Sequence, residues 1–297
     1  MICGATATGK TRLSLELAGT QDGVEIVSAD SRQVYRGMDI GTDKVALEDR
    51  LRIPHHGLDL VDPDERFSVA AYQRAAVSAL AEIAARGRLA ILVGGTGLYL
   101  RAVARGVTFE HATSDPVVRA EIEQRLADEG LAVLAAELKE RAPSMAAATD
   151  LANPRRVVRA LERTHLEGDR LPPSPAGYPA PVRWLGLHQD PEVHRAAILH
   201  RAAAQFEGGL LDEARALAER FPVDTPAFSA FGYREAFEVL AGRHSMAEAI
   251  AETARRTWAY ARRQRTWFRS EPGITWLEAS NAHERAEAEL QAFAAAM

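Results

Sequence analysis

The sequence predicts an α/β fold, a parallel sheet flanked by helices, with a block of helices inserted into it. Three observations carry this. First, Gly4-Ala5-Thr6-Ala7-Thr8-Gly9-Lys10-Thr11 stands between an apolar stretch, Ile2-Cys3, and a run that puts Leu13 and Leu17 on one helix face. That order is strand, phosphate-type loop, helix. Second, Leu89-Ala90-Ile91-Leu92-Val93 is continuously apolar, as a strand covered on both faces must be. It leads into Gly94-Gly95-Thr96-Gly97 and a helix from Leu98. Third, residues 111–179 change character. They are rich in Ala, Arg and Glu, with apolar positions at helical spacing and no strand pattern.

The chain has 297 residues, room for one large domain and a smaller one, and its 47% hydrophobic content supplies a sizeable core. It contains no apolar run long enough to span a membrane. No secretory signal precedes the loop, and Cys3 is the sole cysteine, which excludes a disulfide framework and zinc-finger spacing. A cytoplasmic protein, free of the membrane and monomeric, is expected. The net charge of -5 does not by itself point to nucleic acid, so local patches decide that question.

Taken in order, the first strand ends at the glycine-rich loop. There the backbone N–H groups can curl around a polyphosphate, Lys10 can set a point charge on its outer oxygens, and the Thr11 hydroxyl can ligate a Mg²⁺ bound to them. The following helix turns its positive end to the same anion. This makes the fold P-loop NTPase-like and names the ligand class, a di- or triphosphate, but not the reaction. Val24-Glu25-Ile26-Val27 is a second strand, and Asp30 lies just past its end, on the rim where α/β sheets bind ligands. The polar segment 37–44 reads as a loop. His55-His56 begins a further short strand and turn; a structural turn accounts for the paired histidines better than a metal site. Ser68 can cap a helix running to Arg86, with Tyr72, Ala76, Leu80 and Ile83 recurring on one face. An ATP-hydrolysing machine would carry an Asp at the end of the apolar 89–93 strand; Gly-Gly-Thr stands there instead.

Within the insertion, Val118, Ile122 and Leu126, then Leu131, Leu134 and Leu138, mark two helices, and Arg155 to Arg163 form a basic one. Leu171-Pro172-Pro173-Ser174-Pro175 closes it as a stiff linker. The expected domains are therefore 1–110 with 180–297, and 111–179. Strand character returns at 182–187. Helix follows from Glu192 to Arg220, interrupted at Gly208-Gly209. A long helix from Met246 to about Ser270 interleaves six arginines with Trp258, Tyr260, Trp267 and Phe268. Arg255, Arg262 and Arg269 share a face. A solvated face with aromatic core anchors explains this pattern as well as a surface for phosphates and unstacked bases does. Residues 274–277 suit an edge strand, and an amphipathic helix follows from Ala282.

Several blocks, in order, resemble the bacterial tRNA dimethylallyltransferases: the loop Gly4–Thr11, Ser28-Ala29-Asp30-Ser31-Arg32-Gln33-Val34-Tyr35, Leu92-Val93-Gly94-Gly95-Thr96-Gly97, Gly232-Tyr233-Arg234-Glu235, and Tyr260 to Arg269. The similarity runs from about residue 2 to about residue 280. The second block is specific, since it is no general feature of phosphate loops. Two departures, Ala5 and Thr8, leave backbone phosphate binding intact. The resemblance implies transfer of a dimethylallyl group from dimethylallyl diphosphate to N6 of adenosine at tRNA position 37, with release of diphosphate. It implies that Gly4, Ala5, Thr6, Ala7, Thr8, Gly9, Lys10 and Thr11 hold the diphosphate, with Mg²⁺ at Thr11. Asp30 would be the general base, Thr96 would lie against the transferring carbon, and Arg215 would approach the diphosphate. Asp30, Ser31, Arg32, Gln33, Thr96, Arg119, Arg155, Arg156, Arg159, Arg262, Arg263, Gln264 and Arg269 would contact tRNA. The rivals are a small-molecule kinase, an adenylate isopentenyltransferase acting on free nucleotides, and an RNA-binding regulator without chemistry. The kinase has no use for the basic C-terminal helix, and the regulator none for Asp30 and Thr96 beside the loop.

Overall fold

The computed structural model describes residues 1–107 and 114–296. Two compact units emerge, Met1–Ala104 with Tyr178–Met297, and Arg105–Gly177. The expected boundary between 110 and 111 lies outside the described residues.

The first unit is built on a parallel sheet. Its strands are β1 (Ile2–Gly4), β2 (Val24–Ser28), β3 (His55–His56), β4 (Leu89–Gly94), β5 (Trp184–His188) and β6 (Ile274–Glu278), in the order β3-β2-β4-β1-β5-β6. Each neighbouring pair is parallel. The register pairs Ile2 with Val93 on one side and with Leu185 on the other, so β1 is central and buried throughout. The ligand rim of such a sheet lies beyond the C-terminal strand ends. β1, β2 and β4 deliver there the loop after Gly4, the segment after Ser28 and the segment after Gly94.

The helices of this unit are α1 (Lys10–Thr20), α2 (Leu47–Arg52), α3 (Val69–Ala85), α4 (Gly97–Ala104), then α9 (Pro191–Glu207), α10 (Leu210–Ala218), α11 (Tyr233–Leu240), α12 (Met246–Arg269) and α13 (Ala282–Ala295). Numbers α5 to α8 belong to the second unit: Pro116–Glu129, Leu131–Arg141, Pro143–Ala147 and Pro154–Glu167. Local signals act as expected. Leu13 and Leu17 are buried on α1. Ser68 caps α3 by accepting the Ala71 N–H. Gly208-Gly209 separates α9 from α10, and β6 is an edge strand. On α12, Ala249, Thr253, Thr257, Ala261, Gln264 and Phe268 make the buried stripe, while Arg255, Arg262 and Arg269 stay exposed.

The second unit has its own core: Ile122 from α5, Leu134 and Leu138 from α6, Met145 from α7, and Val157 and Leu161 from α8. Among the described residues no helix is long and apolar enough to cross a membrane.

Candidate active site

The phosphate loop is shaped by its own backbone. Gly9 has φ 85, in the left-handed region, and opens α1 with no side-chain cap. A residue with a Cβ is disfavoured there, and the first N–H groups of the helix are left to face the cavity. Inside the loop, Thr8 Oγ1 donates to the Ala5 carbonyl at 2.9 Å and Lys10 Nζ donates to the same oxygen at 2.6 Å. Burial pushes the Lys10 ammonium down to about 8; Asp30 opposes that shift and Arg201 adds to it. The Thr11 hydroxyl lines the cavity and makes no hydrogen bond among the described residues.

Three side chains from two helices clamp Thr6. Its N–H donates to Gln264 Oε1 at 2.9 Å, its carbonyl lies 2.8 Å from His194 Nε2, and its hydroxyl accepts from Arg201 Nη1 at 2.8 Å. A carbonyl only accepts, so His194 carries its proton on Nε2. His194 and Arg201 are two turns apart on α9 and point the same way.

Beyond β2, Asp30 Oδ1 accepts the Arg32 N–H at 2.8 Å, which turns the carboxylate at the chain's own bend. Thr96, at the end of the glycine run after β4, accepts the Ser31 N–H at 3.0 Å and donates to Ser31 Oγ at 3.3 Å. Thr6, Lys10, Thr11, Asp30, Ser31 and Arg201 border a cavity of about 460 Å³. Lys10 and Arg201 charge one part of it. Phe231 and Tyr260, with ring centres 5.4 Å apart, form an aromatic wall. Asp30 borders the same cavity as Lys10, Phe231 and Tyr260, and its charge acts on both Lys10 and Tyr260. Burial pushes the Tyr260 phenol up, keeping it a neutral donor. A cationic cradle, a carboxylate and an aromatic wall in one cavity can bind a polyphosphate ester, take a proton beside it and hold a flat acceptor.

Two expected site residues stand differently in this geometry. Arg215 is not among the residues that line the cavity. It lies on α10 with an exposed side chain paired to Asp212 at 2.5 Å. The arginine that bonds the loop is Arg201. The signal was in the sequence: His194, Ile198, Arg201 and Gln205 lie on one α9 face, and all but His194 line the cavity. Gln264, expected to touch RNA, spends its amide inside the protein. Its Oε1 takes the Thr6 N–H and its Nε2 donates to the Gly95 carbonyl at 2.7 Å, with only 6% of the residue exposed.

The remaining expected RNA-contacting residues divide. Gln33 accepts the Ser28 hydroxyl and donates to the Thr42 and Asp43 carbonyls. Arg32 reaches the turn Pro226–Ser229, bonding the Pro226 and Ala227 carbonyls and Ser229 Oγ. Arg262, Arg263 and Arg269 are exposed and make no ion pair among the described residues. In the second unit, Arg119 and Arg159 both grip the fully buried Glu162, at 2.9 and 2.6 Å. Arg155 and Arg156 are exposed, the latter 3.7 Å from Asp150.

The sequence model of the IPP transferase family matches residues 33–271. The tRNA dimethylallyltransferase of Roseiflexus sp. (strain RS-1) is 46% identical over 94% of this chain and 92% of its own length. That of Bacillus velezensis is 39% identical over 94% and 90%. Among solved structures, the full-length tRNA isopentenylpyrophosphate transferase of Bacillus halodurans superposes with a TM-score of 0.72 at 39% identity, covering 99% of this chain and 94% of that one. A eukaryotic dimethylallyltransferase acting on tRNA gives 0.78 at 26% identity, covering 98% and 78%. A match that spans most of the chain, with relatives alike over nearly all of it, means that the chain belongs to the IPP transferase family.

Proposed function

We propose that this chain transfers the dimethylallyl group of dimethylallyl diphosphate to N6 of adenosine at position 37 of tRNA. The observation that carries the reading is that Asp30 lines one cavity together with the cationic loop and the aromatic wall. In the step, N6 attacks C1 of the allylic ester. The C1–O bond breaks, its electron pair leaves on the diphosphate, and the N6 proton passes to the Asp30 carboxylate. The amine is a weak nucleophile because its lone pair is delocalised into the purine, so a positioned base is worth about 10²–10⁴ in rate. Loop N–H groups, Lys10 and Arg201 hold the departing anion. Thr96 steadies Ser31 beside Asp30.

Among the described residues no group of three or more His, Cys, Asp and Glu could hold a metal ion. A Mg²⁺ here would take the Thr11 hydroxyl and the substrate's own oxygens, a donor set that suits it. When bound, it would neutralise charge on the leaving diphosphate. The exposed Arg262, Arg263 and Arg269, with Arg155 and Arg156 of the second unit, are the side chains available for RNA phosphates. An adenosine stacked in an anticodon loop must be flipped out to reach such a cavity.

The family match supports a prenyl acceptor over a kinase reaction, and the relatives' names favour tRNA over free nucleotides. The test is incubation with radiolabelled dimethylallyl diphosphate and, separately, unmodified tRNA, AMP and ATP. Label in tRNA alone is expected. Label in AMP or ATP, or none in tRNA, would refute the reading.

A further inference from the structure

Asp43 stands beside Arg201 with φ 55, in the left-handed region that Asp enters more readily than most non-glycine residues. Neighbours lock this geometry. The Asp43 N–H donates to the Ile40 carbonyl and Lys44 N–H to that of Asp39, while Gln33 bonds the Thr42 and Asp43 carbonyls. Gln205 bonds the carbonyls of Ile40 and Gly41, and Glu213 takes the N–H groups of Asp39, Ile40 and Gly41. Glycine would adopt the same turn without strain, so the backbone alone gives no reason for a carboxylate here. The fixed turn holds the carboxylate beside Arg201.

The side chain is 59% exposed, and its one ion pair among the described residues is with Arg201 Nη1, at 3.5 Å. It receives no hydrogen bond among the described residues. It borders both the Asp30 cavity and a second, more open one of about 710 Å³, and Arg201 also borders both. Arg201 meanwhile bonds Thr6 in the phosphate loop. An anion bound to that loop must therefore share Arg201 with a carboxylate already there.

We propose that Asp43 is a specificity-determining residue: it competes for Arg201, loosens the grip on diphosphate and favours release of the free diphosphate product over its allylic ester. The inference rests on the reading of the loop as a diphosphate site. The product has one more ionisable oxygen than the ester, so a neighbouring carboxylate repels it more. Asp43 also acts electrostatically on Lys10, so it damps both cations.

The test is titration calorimetry with inorganic diphosphate, and separately with dimethylallyl diphosphate, in the presence of Mg²⁺. Asp43→Asn and Asp43→Ala should bind inorganic diphosphate roughly three- to tenfold more tightly than the unsubstituted chain, as expected for one partly screened charge. The gain for the ester should be smaller. In an Arg201→Ala background the gain from Asp43→Asn should shrink, because the two residues act as one pair. Asparagine tolerates the left-handed turn, and an unchanged thermal midpoint checks the fold. Unchanged or weaker diphosphate binding, equal gains for both ligands, or a full gain without Arg201 would overturn the inference. If the unsubstituted chain binds no diphosphate, the reading of the loop falls and the inference with it.

Discussion

The side-chain amide of Gln264 ties the Thr6 N–H to the Gly95 carbonyl, joining the phosphate loop to the glycine turn after β4 through one residue of α12. Gln264→Glu cannot donate to Gly95 and leaves that carbonyl unpaired. A loss of about 1–3 kcal/mol in urea unfolding is expected, with lower kcat/KM and unchanged tRNA affinity in filter binding. Weakened tRNA affinity at full stability would return Gln264 to the RNA surface.

Asp30→Asn keeps the shape of the bend and removes the base. A fall in kcat of roughly 10²-fold or more is expected, with tRNA binding retained. Single-turnover kinetics with saturating tRNA measure it. Near-normal turnover would assign the proton to another group.

The Lys10 ammonium titrates at about 8 in the free protein, driven down by burial. A bound diphosphate favours its charged form, so binding near pH 8.5 should take up protons, and at pH 7 almost none. Calorimetry in two buffers of different ionisation enthalpy detects this. Because the folded value lies below the ordinary one near 10.5, the unfolded chain binds more protons between the two, and stability from this group rises with pH across that window. Affinity lost above pH 8 therefore reflects the neutral amine and not unfolding. Lys10→Ala should abolish the proton uptake and leave tRNA affinity nearly unchanged.

Glu162 joins α5 to α8. Burial pushes its carboxyl up, but hydrogen bonds from Arg159 and Arg119 prevail and hold it below the usual range. A carboxylate lowered in this way contributes stability that is present above about 4.5 and lost as pH falls through the folded value. Glu162→Ala should cost the second unit roughly 2–3 kcal/mol at pH 7, less than a wholly buried pair because both arginines still reach water. The difference should narrow in acid, as the carboxyl takes up its proton. Hydrogen exchange of α5 and α8 amides reports it.

Arg262→Ala with Arg263→Ala should flatten the salt dependence of tRNA affinity by at most about one log unit per log salt for each phosphate left without its arginine. Arg155→Ala with Arg156→Ala tests the second unit in the same assay. A slope unchanged by either pair removes that surface from the RNA interface.

Much of this was legible in the residues because the signals are local. Strand, loop and helix follow one another at Gly4–Thr11, the capping serine opens α3, and the seven-residue repeat of α12 arginines marks its exposed face. The illegible parts are tertiary. Arg201 and Arg215 are both arginines on successive helices, and only the packing of α9 onto Thr6 tells them apart. Arg159 and Glu162 are close enough in sequence to suggest a pair, but Arg119 joins them from 43 residues away. Trp267 lies against Gly97, where an added Cβ would stand 2.3 Å from the ring. The glycine run after β4 thus answers a residue far downstream, which no local pattern announces.

The central place of β1 bears on how the chain is made. Its neighbours are β4 and β5, so Ile2–Gly4 waits for Leu89–Gly94 and then for Trp184–His188. At about 5–20 residues per second, the second partner emerges roughly 10–40 s after the loop does. Until then the apolar edge of β1 is open, a period in which parallel sheets are prone to mispairing. The intervening segment Arg105–Gly177 is a compact unit with its own core and can collapse on it meanwhile. A ribosome stalled before residue 188 would therefore carry a nascent phosphate loop that cannot yet grip its anion.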